Sequence, residues 1–186
     1  MGRIRSPRYF KPINSCKKDD LVSFANIVAW PNKKSPDLIN VLTKPKDNHI
    51  IDLYFFQSNS LIGGYIAKYI PSYQVILLKE LEIIPHLSSK IYGREMVENL
   101  GKIGLNAFDE NFKGIVATTE CTETKKSIDY SNKYKIRSLI NAGGEIVVEC
   151  IKHDDKIYHL IFVPYNGGLN KTEVEEIFNK IVFSPL

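Results

Sequence analysis

The sequence predicts one domain of the α/β class, an α+β arrangement in which helices flank a central mixed β-sheet. Runs rich in β-branched and aromatic residues alternate with segments in which apolar residues recur at helical spacing. With 186 residues, 44% of them hydrophobic, the chain is long enough to bury one ordinary core. We therefore expect an irregular arm at 1–19, the domain at 20–165, and a linker with an additional helix at 166–186.

The first half of the domain is predicted as two helices followed by three antiparallel strands. Asp19 or Asp20 would cap the first helix, which ends near Pro31, and Pro36 would occupy the first position of the second. In the arm before them, Pro7 and Pro12 argue against regular structure. The three strands are predicted at 50–56, 61–69 and 75–84.

The third of these strands is predicted to be central, because its apolar run is almost continuous and suits a strand covered on both faces. A polar loop then leads to a helix from Arg94 to about Phe108, and a strand over 114–121 runs parallel to the central strand after a right-handed crossover. A helix over 132–141 and a hairpin of strands 146–151 and 157–165 complete the domain.

The last segment is predicted as an amphipathic helix over 172–183. Thr172 and Glu175 have the spacing of a capping box. The apolar stripe that must be buried consists of Val174, Ile177, Phe178 and Ile181. We expect it to pack on its own domain rather than on a second subunit, so that the protein is a monomer or a homodimer held elsewhere.

Composition narrows the function classes. No apolar run is long enough to cross a bilayer, and the N-terminus lacks the apolar segment of a secretory signal. Three widely separated cysteines indicate a reducing cytoplasm, and the four histidines have no metal-ligand spacing. The net charge of +4 suits a solvated surface, and it would also accommodate a phosphorylated ligand or RNA. We therefore expect a cytoplasmic protein without membrane or metal, with nucleic acid as a less favoured partner.

One stretch carries a family resemblance. Leu81-x-Ile83-x-Pro85 followed by Lys90-x-x-Gly93 resembles the fourth strand and acyl-CoA loop of the GNAT superfamily of N-acyltransferases. The order of the predicted elements is also that of the family. The match is partial, because the family has Arg or Gln where Lys90 stands and a small residue where Glu95 stands.

The resemblance implies acetyl transfer from acetyl-CoA to a primary amine of a small molecule or peptide, by direct attack in a ternary complex. It also implies that backbone N–H groups of the loop and helix start hold the pyrophosphate. The residues expected to bind coenzyme A in this way are Lys90, Ile91, Tyr92, Gly93, Arg94 and Glu95, and the match to a second family motif adds Asn132.

The same resemblance implies a backbone N–H at the end of the central strand, of Ile83 or Ile84, that polarises the thioester carbonyl. For the base, Glu80 and Glu82 are candidates on the central strand, and they share a face because strand side chains alternate. Burial between apolar neighbours would raise the pKa of such a carboxylate toward the working range. His86 is the competing candidate.

The general acid is the weakest part of the match, because Leu139 stands where the family has a tyrosine. Tyr134 is the preferred replacement, and Tyr130, Ser131 and Tyr92 are alternatives. A thiolate leaving group also needs little help from an acid at neutral pH. The alternative to an enzyme is a non-catalytic acyl-CoA-binding or protein-interaction module on the same fold.

Overall fold

The computed structural model describes residues 7–29, 37–87, 90–121, 130–153, 156–166 and 168–179. Within them lies a mixed sheet of seven strands in the order β1-β2-β3-β4-β5-β7-β6. The strands are β1 (Arg8–Pro12), β2 (His49–Phe56), β3 (Leu61–Ile70), β4 (Val75–Ile83), β5 (Gly114–Cys121), β6 (Glu145–His153) and β7 (Lys156–Pro164). The helices are α1 (Lys18–Ala29), α2 (Asp37–Thr43), α3 (Lys90–Phe108), α4 (Tyr130–Asn141) and α5 (Lys171–Ile177).

The sheet consists of two antiparallel blocks that meet at one parallel pair. Strands β1 to β4 pair antiparallel in sequence order, and β5, β7 and β6 form the second block. Strand β4 pairs parallel with β5, and α3 makes the crossover between them. The predicted fold class, the three antiparallel strands, the parallel neighbour and the final hairpin are confirmed.

The described part of the predicted N-terminal arm contains a strand, which corrects the prediction that the arm is irregular there. Residues 8–12 form an edge strand, paired from Arg8 with Phe56 to Pro12 with Asp52. The proline is tolerated because it lies at the last position of a strand with a free edge. The ring of Phe10 stacks on Tyr54 with centroids 4.3 Å apart, which gives this strand an apolar contact of its own.

Helices cover both faces of the sheet. Helices α3 and α4 pack on one face, over apolar residues of all the central strands. Helices α1 and α2 cover β2 and β3 on the opposite face, and α5 covers β4, β5 and β7 beside them. On this second face, the part of β4 after Leu77 therefore lies between α1–α2 on one side and α5 on the other.

Helix α5 docks on its own domain, as predicted. Its side chains Val174, Ile177 and Phe178 are buried against strand residues such as Leu77 and Phe162. The capping box is formed by Asn170 and Glu173 rather than by Thr172 and Glu175, so the N-cap lies two residues earlier than the sequence suggested. Residue 181 of the predicted stripe lies outside the described residues.

Candidate active site

The central feature of the site is the separation of β4 from β5. The two strands pair over only four residues, from Val75 with Gly114 to Leu78 with Ala117. Both strands continue beyond this pair, to Ile83 and Cys121, without pairing with each other. We call the gap between residues 79–83 of β4 and 118–121 of β5 the cleft, and the end beside the last pair its closed end.

A β-bulge lies at the closed end of the cleft. In the β3–β4 pairing Ala67 is opposite Leu78 and Ile66 is opposite Glu80, which leaves Lys79 as an extra residue in β4. A bulge bends its strand and increases the local twist, so it explains why β4 turns away from β5 at this point.

The bulge also decides which way the side chains of β4 point. Glu80 and Glu82 lie opposite Ile66 and Gly64 in the register, on the face covered by α1 and α2. Both carboxylates are partly buried. The prediction that the two glutamates share a face is therefore confirmed, and that face borders the space between α1–α2 and α5.

The backbone of β4 presents hydrogen-bonding groups to the cleft. The N–H of Ile84 donates to the carbonyl of Ile62 at 2.9 Å, so it is used in the pairing with β3. Because backbone groups of a strand alternate between its two edges, those of Leu81 and Ile83 point toward the cleft. Of the two predicted N–H groups, Ile83 is left in a position to meet a carbonyl there.

Lys135 of α4 reaches the closed end of the cleft. The Lys135 side chain is buried, and its Nζ donates a hydrogen bond of 2.7 Å to the carbonyl oxygen of Lys79. Helix α4 packs mainly over α3, β5 and β7, whereas Lys79 belongs to β4. The lysine side chain therefore extends across the gap between the two strands.

The closed end is thus cationic. Burial first, and then the neighbouring charges of Lys68 and Lys135, lower the pKa of the Lys79 ammonium to about 8. Glu80 acts in the opposite direction but is the smaller effect. A buried lysine beside a partly buried one is costly to the fold, since each disfavours the charge of the other.

Helix α3 begins at Lys90, four residues before the predicted start, so residues 90–95 are helix rather than loop. Gly93 is buried in its first turn against Ser138 of α4, and a Cβ at this glycine would lie 3.6 Å from Cδ1 of Ile83. The first turn of α3, with its unpaired N–H groups, therefore lies beside the open end of the cleft.

Two predicted ligand-binding side chains face away from the cleft. The carboxylate of Glu95 accepts hydrogen bonds from Arg8 at 2.7 Å and from the hydroxyl of Tyr54. The ring of Tyr92 makes an edge contact with Phe56, with centroids 5.9 Å apart, and the Arg8 guanidinium lies 5.4 Å from its centre. Glu95 and Tyr92 thus join α3 to β1 and β2, so the carboxylate does not oppose an anion at the helix start.

The remaining predicted residues are divided between the surface and the undescribed part of the chain. Arg94 pairs with Glu98 on the exposed side of α3, and Ile91 is exposed. His86 is exposed in a short 3-10 turn after β4. Outside the described residues lie the side chains of Lys90, Cys121, Tyr130, Ser131 and Asn132.

Tyr134 lies on α4, partly buried and one helical turn before Ser138. Because residues four apart share a helix face and Ser138 contacts Gly93, Tyr134 is on the side of α4 that faces α3. Leu139 stands at the position of the family tyrosine, so there is no phenol there. Its side chain is fully buried in the core under α3 and α4.

The sequence reasoning missed Lys135 and Lys79. A signal for Lys135 was present, because it lies four residues before Leu139 and therefore shares the inward face of a predicted helix. A lysine on an inward face either pairs with a buried polar group or serves a ligand. Lys79 gave no comparable signal, since the bulge that places it is not visible in the sequence.

A second polar region lies away from the cleft, at the β1–β2 edge. Here a cavity of about 390 Å³ is bounded by Arg8, Tyr54, Glu95 and Asn99 among others. Its charged groups are largely paired with one another, as in the contact of Arg8 with Glu95. It is lined by β1, β2 and α3 rather than by the separated strands, and we do not assign the acyl-transfer site to it.

Within the described ranges, no three His, Cys, Asp or Glu side chains come together in a way that could hold a metal ion. None of the helices there is long and apolar enough to span a membrane.

No protein-family model and no curated protein matches the chain. Solved structures do resemble it. A spermidine N-acetyltransferase from Vibrio cholerae in complex with CoA and spermine has a TM-score of 0.63 at 10% identity, over 92% of this chain and 99% of that one. The ribosomal-protein-S18-alanine N-acetyltransferase from Escherichia coli has 0.60 at 10%, over 88% and 99%. A Bacillus subtilis acetyltransferase in complex with CoA has 0.58 at 12%, over 86% and 99%.

At these identities the likeness concerns the fold. The chain has the fold that GNAT N-acetyltransferases share, and the seven-stranded mixed sheet with flanking helices is the architecture that the resemblance implied.

Proposed function

We propose that this protein is an N-acetyltransferase that moves an acetyl group from acetyl-CoA to a primary amine. The observation that carries the proposal is the separation of β4 from β5 after four paired residues, in a fold shared with acetyltransferases that bind CoA. A gap between two strands of one sheet exposes backbone donors and acceptors that need a partner. An extended chain containing amides is such a partner.

The residues around the cleft fit coenzyme A. Backbone groups of Leu81 and Ile83 would pair with the pantetheine amides in the manner of an added strand. At the open end, the N–H groups of the first turn of α3, from Lys90 to Gly93, would hold the pyrophosphate, because a helix start combines unpaired donors with a positive dipole. The N–H of Leu81 is further along β4 from the start of α3, so we assign it to the thioester carbonyl and Ile83 to the pantetheine.

The reaction needs a base for the attacking amine. In the transfer the amine nitrogen bonds to the thioester carbonyl carbon, the carbon–sulfur bond breaks, and the sulfur leaves with the electron pair. Glu80 or Glu82 takes the proton of the amine, directly or through water, since both face the side of the sheet left between α1–α2 and α5. Carboxylates at this position also favour a cationic acceptor.

The acceptor belongs to the class of primary amines, in a small molecule or a peptide. The similar structures include one bound to spermine and one named for a protein N-terminal alanine, so the fold serves both. Tyr134 is the proposed side-chain acid, from the side of α4 that faces the start of α3.

A second function is favoured by two observations. Leu139 is fully buried where a catalytic phenol would stand, and Lys135 lies across the closed end of the cleft. Both features would also suit a module that binds acyl-CoA without turnover.

Release of the CoA thiol from acetyl-CoA, measured with a panel of diamines, amino acids and peptides, tests the proposal. We expect one of Glu80→Gln and Glu82→Gln to lose roughly 10²-fold or more in rate while its binding of CoA is unchanged. His86→Gln is the matched control, since His86 is the exposed competing base. A protein that binds CoA but turns over none of the amines is the non-catalytic module instead.

A further inference from the structure

The cavity between β1, β2 and α3 is lined mainly by polar side chains. The polar residues that border it are Arg8, Tyr54, Glu95, Glu98, Asn99 and Lys102. The four from α3 are spaced three and four residues apart, so they form a polar stripe over about 10 Å of the helix, on the side that faces β1. A cavity lined in this way suits a polar ligand rather than an apolar one.

The charges around the cavity do not cancel. Arg8 pairs with Glu95 at 2.7 Å, and Glu98 pairs with Arg94 at 2.7 Å, which accounts for both carboxylates. The ammonium of Lys102, in contrast, makes no ion pair or hydrogen bond with any residue that the structure describes. One positive charge is therefore left over at the cavity, and a ligand with one net negative charge would balance it.

Two groups at the cavity also have hydrogen-bonding capacity left. The Arg8 side chain is only 14% exposed, and within the described part of the chain its guanidinium donates through Nη2 alone, to Glu95. The amide nitrogen of Asn99 donates to Asp52 and Tyr65, whereas its carbonyl oxygen accepts no hydrogen bond from the described residues. Such a guanidinium suits a carboxylate, and such an oxygen suits an N–H donor.

We propose that this cavity is a binding site for a free acidic amino acid. The α-carboxylate of the ligand lies against the Arg8 guanidinium. Its ammonium donates to the Asn99 carbonyl oxygen and to the carboxylate of Glu98. Its side-chain carboxylate reaches Lys102 and neutralises the charge that the cavity has in excess. A volume of about 390 Å³ accommodates a molecule of the size of glutamate.

The amino acid is not a reactant of the proposed acetyl transfer. Its site is formed by β1, β2 and α3, whereas the cleft lies between β4 and β5. The proposal therefore stands or fails independently of the acetyltransferase function, and its test needs neither CoA nor turnover.

Isothermal titration calorimetry of the full chain with three ligands tests the proposal. L-glutamate carries all three charged groups, glutarate lacks the ammonium, and L-glutamine lacks the second carboxylate. We expect L-glutamate to bind with a Kd below about 1 mM, and each of the other two to bind roughly tenfold more weakly, because each loses one charge-assisted contact. No saturable binding of L-glutamate up to about 10 mM, or equal binding of all three ligands, overturns the proposal.

Lys102→Glu locates the binding without risk to the fold, because the side chain is exposed. We expect this variant to bind L-glutamate about tenfold more weakly or worse, and to lose the preference for L-glutamate over L-glutamine. Arg137→Glu makes the same change of net charge at an exposed position of α4 and should leave the Kd values unchanged. An equal loss of affinity in the two variants would mean attraction by the overall charge alone, and it would overturn the assigned site.

Arg8→Met should abolish the binding of L-glutamate, but it also breaks the ion pair with Glu95. The wild-type protein supplies a test that does not depend on the folding of this variant. The side-chain amide resonances of Asn99 should shift in proportion to occupancy when L-glutamate is added. Binding that leaves the Asn99 resonances and the affinity of Lys102→Glu unchanged places the amino acid elsewhere and overturns the proposal.

Discussion

At the start of α3, Gly93 is a packing residue as well as part of a helix terminus. A Cβ at this position would collide with Oγ of Ser138 and come within 2.7 Å of its Cβ. We expect Gly93→Ala to lower the free energy of unfolding by about 1–3 kcal/mol, because overpacking forces the two helices apart. Urea denaturation measures this.

The partner of this contact provides the control. Ser138→Gly alone should cost about 0.5 kcal/mol of helix propensity. The double variant should lose less stability than the sum of the two single losses, by roughly 0.5–3 kcal/mol, because the removed side chain makes room for the new one. Strict additivity would mean that Gly93 and Ser138 do not touch.

Asp52 gives a pH dependence of known sign. Burial raises the pKa of this carboxyl group, while hydrogen bonds from Tyr65 and Asn99 lower it by less. Since the folded pKa exceeds the unfolded one, stability from the protonated form is present below about pH 4 and lost as the pH rises through the folded pKa. As the pH rises through the folded pKa, we expect the free energy of unfolding of Asp52→Asn to increase relative to that of wild type.

Urea denaturation at a series of pH values between about 4 and 7 measures the difference for Asp52→Asn. Asp47→Asn, which removes an exposed carboxylate, is the control. A difference for Asp52→Asn that does not change with pH would contradict the raised pKa.

At the residue scale, the sequence predicts which face of a strand a side chain lies on better than it predicts which residue that side chain contacts. The alternation of a strand was enough to place Glu80 and Glu82 together, and the register confirms it. It could not show that Glu95 turns toward Arg8 and Tyr54, because β1 was not recognised and so its arginine had no place. The partner of a charged side chain depends on pairings between distant strands.

At the scale of elements, the two features that shape the cleft are those without a local pattern. The bulge at Lys79 is a feature of the pairing of β3 with β4, and the first turn of α3 packs against α4 at Gly93. Both are consequences of tertiary contacts. Helix α5, in contrast, was predicted with its apolar stripe, because amphipathic spacing is a local property of the sequence.

The docking of α5 can be measured with Ile177→Ala. The side chain is fully buried against the sheet, so its truncation should lower the free energy of unfolding by about 2–5 kcal/mol. Exposed Asn179→Ala is the control. Sedimentation of both variants should match wild type, and a dimer that dissociates into stable monomers on Ile177→Ala would instead make this helix an interface.

At the scale of the whole molecule, the cleft divides the sheet into two blocks. Strands β1 to β4 and strands β5 to β7 are joined by one short parallel pairing, by the packing of α3 on α4 and by α5, which packs on both blocks. A ligand lying in the cleft would pair with the free edge of the first block and contact the second. Its binding should therefore stabilise the whole molecule against unfolding rather than a single loop.

We expect coenzyme A to raise the unfolding temperature. A ligand at 100 times its Kd stabilises the native state by about 2.7 kcal/mol, which for a chain of this size is a rise of roughly 5–11 °C. Pantetheine, which lacks the pyrophosphate, should raise it less, since it cannot use the start of α3.

Amide exchange shows where the ligand binds. The N–H groups of Leu81 and Ile83 should become protected, while that of Ile84, already bonded to Ile62, should change little. Protection elsewhere, with Leu81 and Ile83 unaffected, would place the ligand outside the cleft.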